Sequence, residues 1–206
     1  VSLRKLKEYD ESIKAFTKIL QINPNNEFCY YNIGQAHQEE KRHVEAKNNF
    51  NKAIEINKKF KEAFNGLGVS LLELNKIEEA IFVFTKVIHI DPNYKFAYNH
   101  IGIALRKSGK IKDAIKFYNK ALKIDINYPS ANLGKAICLF QLGRFKEGWE
   151  HYQWRLDGKF LNDDTKKKFL KPKLTNINNI VGKRILVIYE QGLGDTILFS
   201  RYTKLI

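Results

Sequence analysis

The sequence is poor in several residue types that mark particular classes of protein. It contains no methionine, two cysteines, four prolines and two tryptophans among 206 residues. Cys29 and Cys138 lie far apart and outside any CxxC or Cys/His spacing, so we predict buried thiols and no metal site. No apolar run approaches the roughly 18 residues of a membrane-spanning helix, and no signal peptide is visible. We therefore expect a soluble protein of the cytoplasm.

The charge of the chain is strongly basic, with a formal net charge of +14. Such a charge suits nucleic acid, anionic lipid headgroups or acidic proteins as partners. However, 29 of the 36 basic residues are lysines, and they are spread over nearly the whole chain. Since no basic motif interleaved with aromatic residues accompanies them, we interpret them as solvated surface and expect no specific nucleic-acid partner.

Small and large residues recur along the chain at an interval of 34 positions. Four columns follow this interval: Gly34, Gly68 and Gly102; Ala46, Ala80 and Ala114; Phe50, Phe84 and Tyr118; Ala53, Val87 and Ala121. The small residues suit places where two helices approach closely, and the large ones fill the space between them. We therefore predict that Phe84 belongs to a core built from repeated units.

Each repeated unit contains two amphipathic stretches. In the clearest copy they run from Phe96 to Lys107 and from Ile111 to Ile124, with a break at residues 108–110. One such pair cannot bury its apolar surface alone, so the units must stack. The predicted array covers residues 1–156: a partial unit, complete units at 27–60, 61–94 and 95–128, and an atypical last unit at 129–156. In the partial unit, Leu3 would end a first helix and Tyr9–Ile22 would form the second.

A period of 34 with these small residues resembles the tetratricopeptide repeat, whose stacked helix pairs form an all-α superhelical solenoid. The resemblance implies a protein or peptide partner in the concave groove that the first helices line. Tyr31, Asn65, Asn99 and Leu133 recur on that face, and the two asparagines could reach the partner's backbone. The Lys/Asn clamp for chaperone tails is not matched, because the places one turn on hold Gln35, Val69, Ile103 and Ile137. A solvated groove with no fixed ligand is the alternative.

The last 50 residues have a different character. Residues 157–183 carry charge runs, asparagine clusters and Pro172 without a helical period, which indicates a connector. Residues 184–189 form a short apolar run typical of a buried parallel strand, followed by a glycine-containing turn and the start of an apolar helix. This order predicts that 184–206 is the first strand-turn-helix of an α/β Rossmann-like domain. Asp195 would then be either a helix N-cap or a functional carboxylate.

The segment Phe145 to Ile206 resembles bacterial proteins in which tetratricopeptide repeats precede a heptosyltransferase-like glycosyltransferase domain of the GT-B kind. That resemblance implies a parent enzyme that transfers a sugar from a nucleotide-sugar donor to an acceptor hydroxyl. Asp195 would be the catalytic general base, Gly192 and Gly194 would shape the turn, and Glu190 and Gln191 would lie near the substrate cleft. The alternative is a pure tetratricopeptide repeat adaptor without catalytic activity.

The ends of the chain lead us to expect a fragment of a longer protein. The chain has no methionine, begins inside a repeated unit and stops inside an apolar stretch. In a two-Rossmann transferase the second domain holds most of the donor nucleotide, and residues 184–206 cover only the beginning of the first. We therefore expect these 206 residues alone to be inactive, to need no cofactor and to bind a nucleotide sugar weakly or not at all.

Overall fold

The structure, a computed structural model, describes residues 3–152 and Trp154, with side chains from Glu8 onward. That part of the chain is all-helical. Its nine helices are α1 (Leu3–Ile22), α2 (Glu27–Glu39), α3 (His43–Ile56), α4 (Lys61–Glu73), α5 (Ile77–Ile90), α6 (Lys95–Lys107), α7 (Ile111–Ile124), α8 (Pro129–Gln141) and α9 (Phe145–Tyr152). The helices predicted at 96–107 and 111–124 are confirmed, and so is the break between them. The strand predicted at 184–189 lies outside the described residues.

One sequence-based prediction is wrong. We expected Leu3 to end one helix and Tyr9–Ile22 to form the next, but α1 is a single helix of 20 residues from Leu3 to Ile22. Residues 3–8 are Leu, Arg, Lys, Leu, Lys and Glu, all favourable in helices, and no glycine or proline interrupts them. The chain therefore stays helical where the later units turn.

The turn inside each helix pair has the same backbone geometry in every described unit from α2 onward. One residue per turn adopts the left-handed conformation, and these residues recur at the interval of 34: Lys41, Asn75, Gly109 and Gly143, with φ of 62°, 59°, 76° and 73°. The residue that follows donates its N–H to a carbonyl five residues earlier, as in Arg42 to His37 at 2.8 Å and Lys110 to Leu105 at 2.9 Å. This bond closes the helix C-terminus as in a Schellman motif. The early turns thus form without the glycine that the later turns have.

Helix packing distinguishes an inner layer from an outer one. Each helix packs against the next one in the chain, and the first helices of successive units, α2, α4, α6 and α8, also pack against one another. The second helices α3, α5 and α7 have no such mutual contacts. The first helices therefore lie on the inner side of the array, where neighbouring units are closest. This is the arrangement of an α-solenoid.

The core follows the columns seen in the sequence. Phe50, Phe84 and Tyr118 are fully buried, with 0% of each residue exposed, which confirms the prediction for Phe84. Tyr118 is held between Gly102 of its own unit and Gly134 of the next: a Cβ atom at either glycine would lie 2.7 Å or 2.5 Å from its ring. Only glycine permits this approach, since real Cβ atoms do not come within 3.0 Å. Burying a large side chain of this kind stabilises a protein by about 1.5–3 kcal/mol.

In the three complete units, a polar contact joins the first residue of the first helix to the residue that follows the second helix. Lys95 at the start of α6 donates to Asp125, the residue after α7, at 2.5 Å, and Lys61 donates to Asp91 at 2.6 Å. In the unit at 27–60 the same places hold a neutral donor and an acid, with Asn57 Nδ2 3.4 Å from Glu27 Oε1. The hydrogen bond from Lys95 lowers the pKa of Asp125. The equivalent contact is therefore an ion pair in two units and a longer contact from a neutral donor in the unit at 27–60.

Candidate functional site

The four residues predicted to contact a partner lie on the inner helices α2, α4, α6 and α8. Tyr31 is half-buried on α2, where its ring packs against Phe50 and Phe60 with centroids 5.9 Å and 5.0 Å away. Its hydroxyl accepts a hydrogen bond from Gln35 Nε2 at 2.8 Å. Burial raises the pKa of Tyr31, so the hydroxyl stays protonated at neutral pH. Leu133, the last of the four, is half-buried on α8.

Asn65 is already bound to a residue of the next unit. Its Oδ1 lies 3.0 Å from Nδ1 of His100 on α6. An amide oxygen can only accept, so this pair requires the proton on Nδ1. The His100 ring also packs against Phe84, with centroids 5.1 Å apart, and burial lowers the pKa of His100 to about 4. The histidine is therefore neutral at pH 7 and fixes the Asn65 carbonyl.

Asn99 stands one unit further on in a different environment. Only 2% of the residue is exposed, and its Oδ1 has no hydrogen-bond partner among the described residues. In the next unit, the residue equivalent to His100 is Gly134. Asn99 therefore has no histidine opposite it. We expected both asparagines to reach a partner's backbone. In the structure, the Asn65 oxygen is occupied and Asn99 is buried, so neither side chain is a freely exposed contact.

The polarity of the inner face changes along the array. Gln35 is exposed on α2, whereas Val69, Ile103 and Ile137 follow it at the interval of 34 and are only partly buried. These three aliphatic side chains belong to the consecutive inner helices α4, α6 and α8. The face is therefore polar at its first unit and apolar over the next three.

Arg106, on the inner helix α6, is a residue that we did not predict from the sequence. It is partly buried on α6, and its Nε is inaccessible to solvent without a hydrogen bond. No carboxylate of the described residues lies within ion-pair distance of it; nearby, Glu73 is paired with Lys107 at 3.7 Å. The available signal was that Arg106 is the charged member of the column Gln38, Leu72, Arg106 and Phe140.

Two further donors lie near the Arg106 guanidinium. Burial raises the pKa of Tyr118 to about 12 and that of Cys138 to about 11, while the nearby guanidinium acts in the opposite direction on both. Both groups are therefore protonated at neutral pH. The Tyr118 hydroxyl is buried without a well-formed hydrogen bond. Cys138 and Cys29 are buried free thiols, as predicted.

Other parts of the described chain offer little for a site. Residues 3–152 and 154 contain no group of three or more His, Cys, Asp or Glu side chains able to hold a metal ion, and no helix there is long and apolar enough to cross a membrane. An open cleft of about 330 Å³ is lined by Lys112, Ile115, Leu142 and Arg144. Arg144 Nη2 lies 2.5 Å from Glu147 Oε2. The charge of Arg144 is therefore already paired within the chain.

The residues predicted for the transferase site lie outside the described residues. They are Glu190, Gln191, Gly192, Gly194 and Asp195. Their assignment stays a prediction from the sequence.

The architecture defines a class of protein: an α-solenoid of stacked helix pairs whose first helices line a continuous inner face. The chain belongs to the tetratricopeptide repeat family. Models described as "Tetratricopeptide repeat" match residues 1–26, 29–60 and 61–94, and another of the same description matches 96–128. Together these matches cover more than half of the chain.

Several solved structures are similar in fold, and TTC0263 and YrrB are described as TPR proteins. MamA is 21% identical with a TM-score of 0.65, over 75% of this chain and 90% of that one. TTC0263 of Thermus thermophilus is 17% identical with a TM-score of 0.66, over 81% and 91%. YrrB, described as a TPR protein with an unusual peptide-binding site, is 19% identical with a TM-score of 0.58, over 75% and 80%. No curated protein sequence matches the chain.

Proposed function

We propose that the helical repeats form a protein-interaction module that binds an extended segment of a partner along the inner face. The observation that carries the proposal is the row of partly exposed aliphatic side chains, Val69, Ile103 and Ile137, on three adjacent helices. A monomeric protein gains stability by burying such side chains more completely, so a row left open on an accessible face favours a binding role.

The spacing of the row suits an extended chain. Packed helices lie about 8–10 Å apart, and an extended chain advances about 3.3 Å per residue. Every third residue of a bound segment would therefore meet the next inner helix. The description of YrrB as having a peptide-binding site supports the same kind of ligand for this fold.

The experiment selects binding peptides from a displayed random library and compares two variants of the protein. Ile103→Glu replaces an aliphatic side chain of the row by a carboxylate, and we expect the selected peptides to bind at least about tenfold more weakly, because their apolar residues would then pack against a charged group at a cost of more than about 1.4 kcal/mol. Phe82→Glu is the matched control, because Phe82 is a 62% exposed apolar residue on the outer helix α5. Equal binding to wild type and Ile103→Glu, or loss only in Phe82→Glu, would contradict the inner-face site.

We further propose that the partner is a protein of the cytoplasm and not a specific nucleic acid. The support is compositional: the lysines are dispersed, and several are paired with acids, as in Lys61–Asp91, Lys95–Asp125 and Lys76–Glu79. A selection for short nucleic-acid ligands that returned a defined sequence would contradict this part of the proposal.

A second candidate function rests on the sequence of residues 184–206 alone. The order of apolar run, Gly192-Leu193-Gly194 turn and Asp195 favours a glycosyltransferase parent that uses Asp195 as general base on an acceptor hydroxyl and a nucleotide sugar as donor. The repeats would then recruit the acceptor or a partner protein. A pure repeat adaptor fits the described residues equally well.

The substitution Asp195→Asn tests this candidate in the intact parent protein. Asparagine caps a helix nearly as well as aspartate but cannot accept a proton, so we expect unchanged stability and a fall in transfer of roughly two to four orders of magnitude. Full transfer activity in this variant would reduce Asp195 to a helix cap. Absence of any transferase activity in the intact parent would favour the adaptor.

A further inference from the structure

Arg106 differs from Lys61, Lys95 and Lys107 because it has no acidic partner among the described residues. Lys61 and Lys95 are bound to Asp91 and Asp125, and Lys107 lies 3.7 Å from Glu73. Arg106 and these lysines all lie in the first or last turn of a helix. Arg106 lies on α6 with part of its guanidinium out of contact with water, and its Nε is unpaired. Arg106 is thus a partly buried cation without an acidic partner among the described residues.

The equivalent residue in the first complete unit shows what this position normally does. Gln38 reaches across from α2 to α4, where its Nε2 lies 3.3 Å from both the Gly66 carbonyl oxygen and Ser70 Oγ. Two units later, Arg106 holds the place of Gln38, and Cys138 holds the place of Ser70. The charge of the nearby Arg106 lowers the pKa of Cys138 against the larger effect of burial. One of the two acceptors of Gln38, the Ser70 hydroxyl, is therefore replaced by a thiol at Arg106, while Gly134 holds the place of Gly66.

The groups around Arg106 are neutral, and none of the described residues provides a carboxylate to it. The Tyr118 side chain is fully buried beside Arg106 and interacts with it, but the Tyr118 hydroxyl is neutral and Arg106 Nε makes no hydrogen bond. A partly buried cation that is unpaired is costly, and the arrangement gains most from an anion with two acceptor atoms. A carboxylate fits this need, because a guanidinium can donate two parallel N–H bonds to it.

The apolar side chains beside Arg106 indicate what flanks such a carboxylate. Ile103 precedes Arg106 by one turn on α6, and Ile137 holds the equivalent place on α8. Residues that exclude water around an ion pair strengthen it, because the local dielectric constant falls. The net charge of +14 also disfavours basic partner segments and favours acidic ones.

We propose that the inner face binds its partner segment through an acidic side chain whose carboxylate is held by the Arg106 guanidinium, between aliphatic side chains that pack on Ile103 and Ile137. This inference rests on the proposed peptide-binding function and narrows its ligand to acidic segments with flanking aliphatic residues. Tyr118 and Cys138 position Arg106 from behind and do not contact the ligand.

The test uses three synthetic peptides that differ at one group. The first is acetylated and amidated, with the sequence Leu-Ser-Ile-Glu-Leu-Ser-Ile; the second replaces its Glu by Gln; the third has the Gln sequence with a free C-terminal carboxylate. Binding is measured by calorimetry on the 206-residue chain, together with the Nε–Hε NMR signal of Arg106. We expect the Glu peptide to bind at least tenfold more tightly than the Gln peptide and to shift the Arg106 signal.

Two variants distinguish a specific effect of the Arg106 charge on binding from a general effect of net charge or folding. Arg106→Gln places at this position the residue that Gln38 provides naturally, so we expect it to fold and to bind the Glu and Gln peptides equally. Lys123→Gln, in the last turn of the outer helix α7, removes the same charge from an exposed residue and should preserve the tenfold discrimination. Should Arg106→Gln fail to fold, the Glu/Gln ratio and the Arg106 signal of the wild-type protein decide the question.

Each outcome supports or overturns the inference. Equal binding of the Glu and Gln peptides to wild type, with both lost in Ile103→Glu, would overturn the acidic anchor and leave the peptide-binding function standing. Tightest binding by the peptide with a free C-terminal carboxylate would overturn the choice of a side-chain acid. Failure of all three peptides would overturn the acidic anchor, and failure of the displayed library as well would overturn the proposed function.

Discussion

The unit at 27–60 and the unit at 95–128 have equivalent core columns and differ at most of their other positions. Phe50 and Tyr118 are both fully buried, and each ring is flanked by a glycine of its own first helix and a glycine of the next unit. The turn residue is Lys41 in one unit and Gly109 in the other. The inner face carries Gln35 in the first and Ile103 in the second. The shared columns thus specify how two helices pack, and the remaining positions are available for function.

The largest predicted effect tests whether the cores of these units are equivalent. We expect Phe50→Ala, Phe84→Ala and Tyr118→Ala each to lower the free energy of unfolding by roughly 3–5 kcal/mol, because each removes a fully buried ring. Denaturant unfolding followed by circular dichroism measures the loss. An unchanged midpoint in any of the three would show that its ring does not hold two units together.

The second predicted effect is a dependence of stability on pH that His100 causes. The equivalent residue in the unit at 27–60 is Asn32, which does not titrate. The pKa of His100 is about 4 in the folded chain, below the ordinary value of 6.5, because of burial. The unfolded chain therefore binds the proton more readily, and the contribution of His100 to stability is fully present above pH 6.5 and is lost as the pH falls toward 4. The loss is at most about 3 kcal/mol.

The measurement for His100 is the free energy of unfolding from about pH 7.5 to about pH 4.5 in wild type and in His100→Asn. The difference between the two proteins should shrink as the pH falls, since only the wild type carries the buried imidazole. Another histidine, His151, also has a lowered pKa and serves as a background present in both proteins. Parallel curves for the two proteins would show that His100 titrates normally in the folded state.

A smaller effect distinguishes the turns. Lys41 has a φ of 62°, a conformation that glycine adopts without the steric cost paid by a residue with a Cβ atom. We expect Lys41→Gly to stabilise the chain by about 1 kcal/mol and Gly109→Lys to destabilise it by a similar amount. Thermal midpoints measured side by side give both signs. A loss of stability in Lys41→Gly would mean that the Lys41 side chain makes a contact worth more than the backbone strain.

The smallest effect concerns the edge pairs. Asp125→Asn breaks the ion pair with Lys95, and the two side chains are 32% and 29% exposed. We expect a loss of less than about 1 kcal/mol that fades in high salt. The lowered pKa of Asp125 means that the contribution is present above its ordinary pKa and is lost as the pH falls through its folded value. A loss independent of salt would indicate packing instead of charge.

Helical periodicity predicted the helix pairs well because packing between units repeats the same demand every 34 residues. The bounds of α6 and α7, the turn between them and the burial of Phe84 followed from spacing alone. The continuous α1 did not, because a turn at Lys7 and a turn at Lys41 look alike in sequence. In the site, the row through Val69, Ile103 and Ile137 followed from the spacing, whereas Arg106 stood out only as the one charged residue of its column, and its unpaired Nε required the structure.

The family, the length of each unit and the residues of the core could be predicted from the sequence alone, because they depend on columns that recur in register. Which polar groups meet between units could not be predicted and became known from the packing of the helices. Asn65 and His100 bind each other, while Asn99 at the equivalent place keeps an unpaired oxygen, with Gly134 where a histidine would be needed. Likewise Gln38 finds two acceptors where Arg106 Nε finds none among the described residues. Such contacts depend on the reach of two side chains from adjacent inner helices, a distance that the order of residues in one helix does not contain.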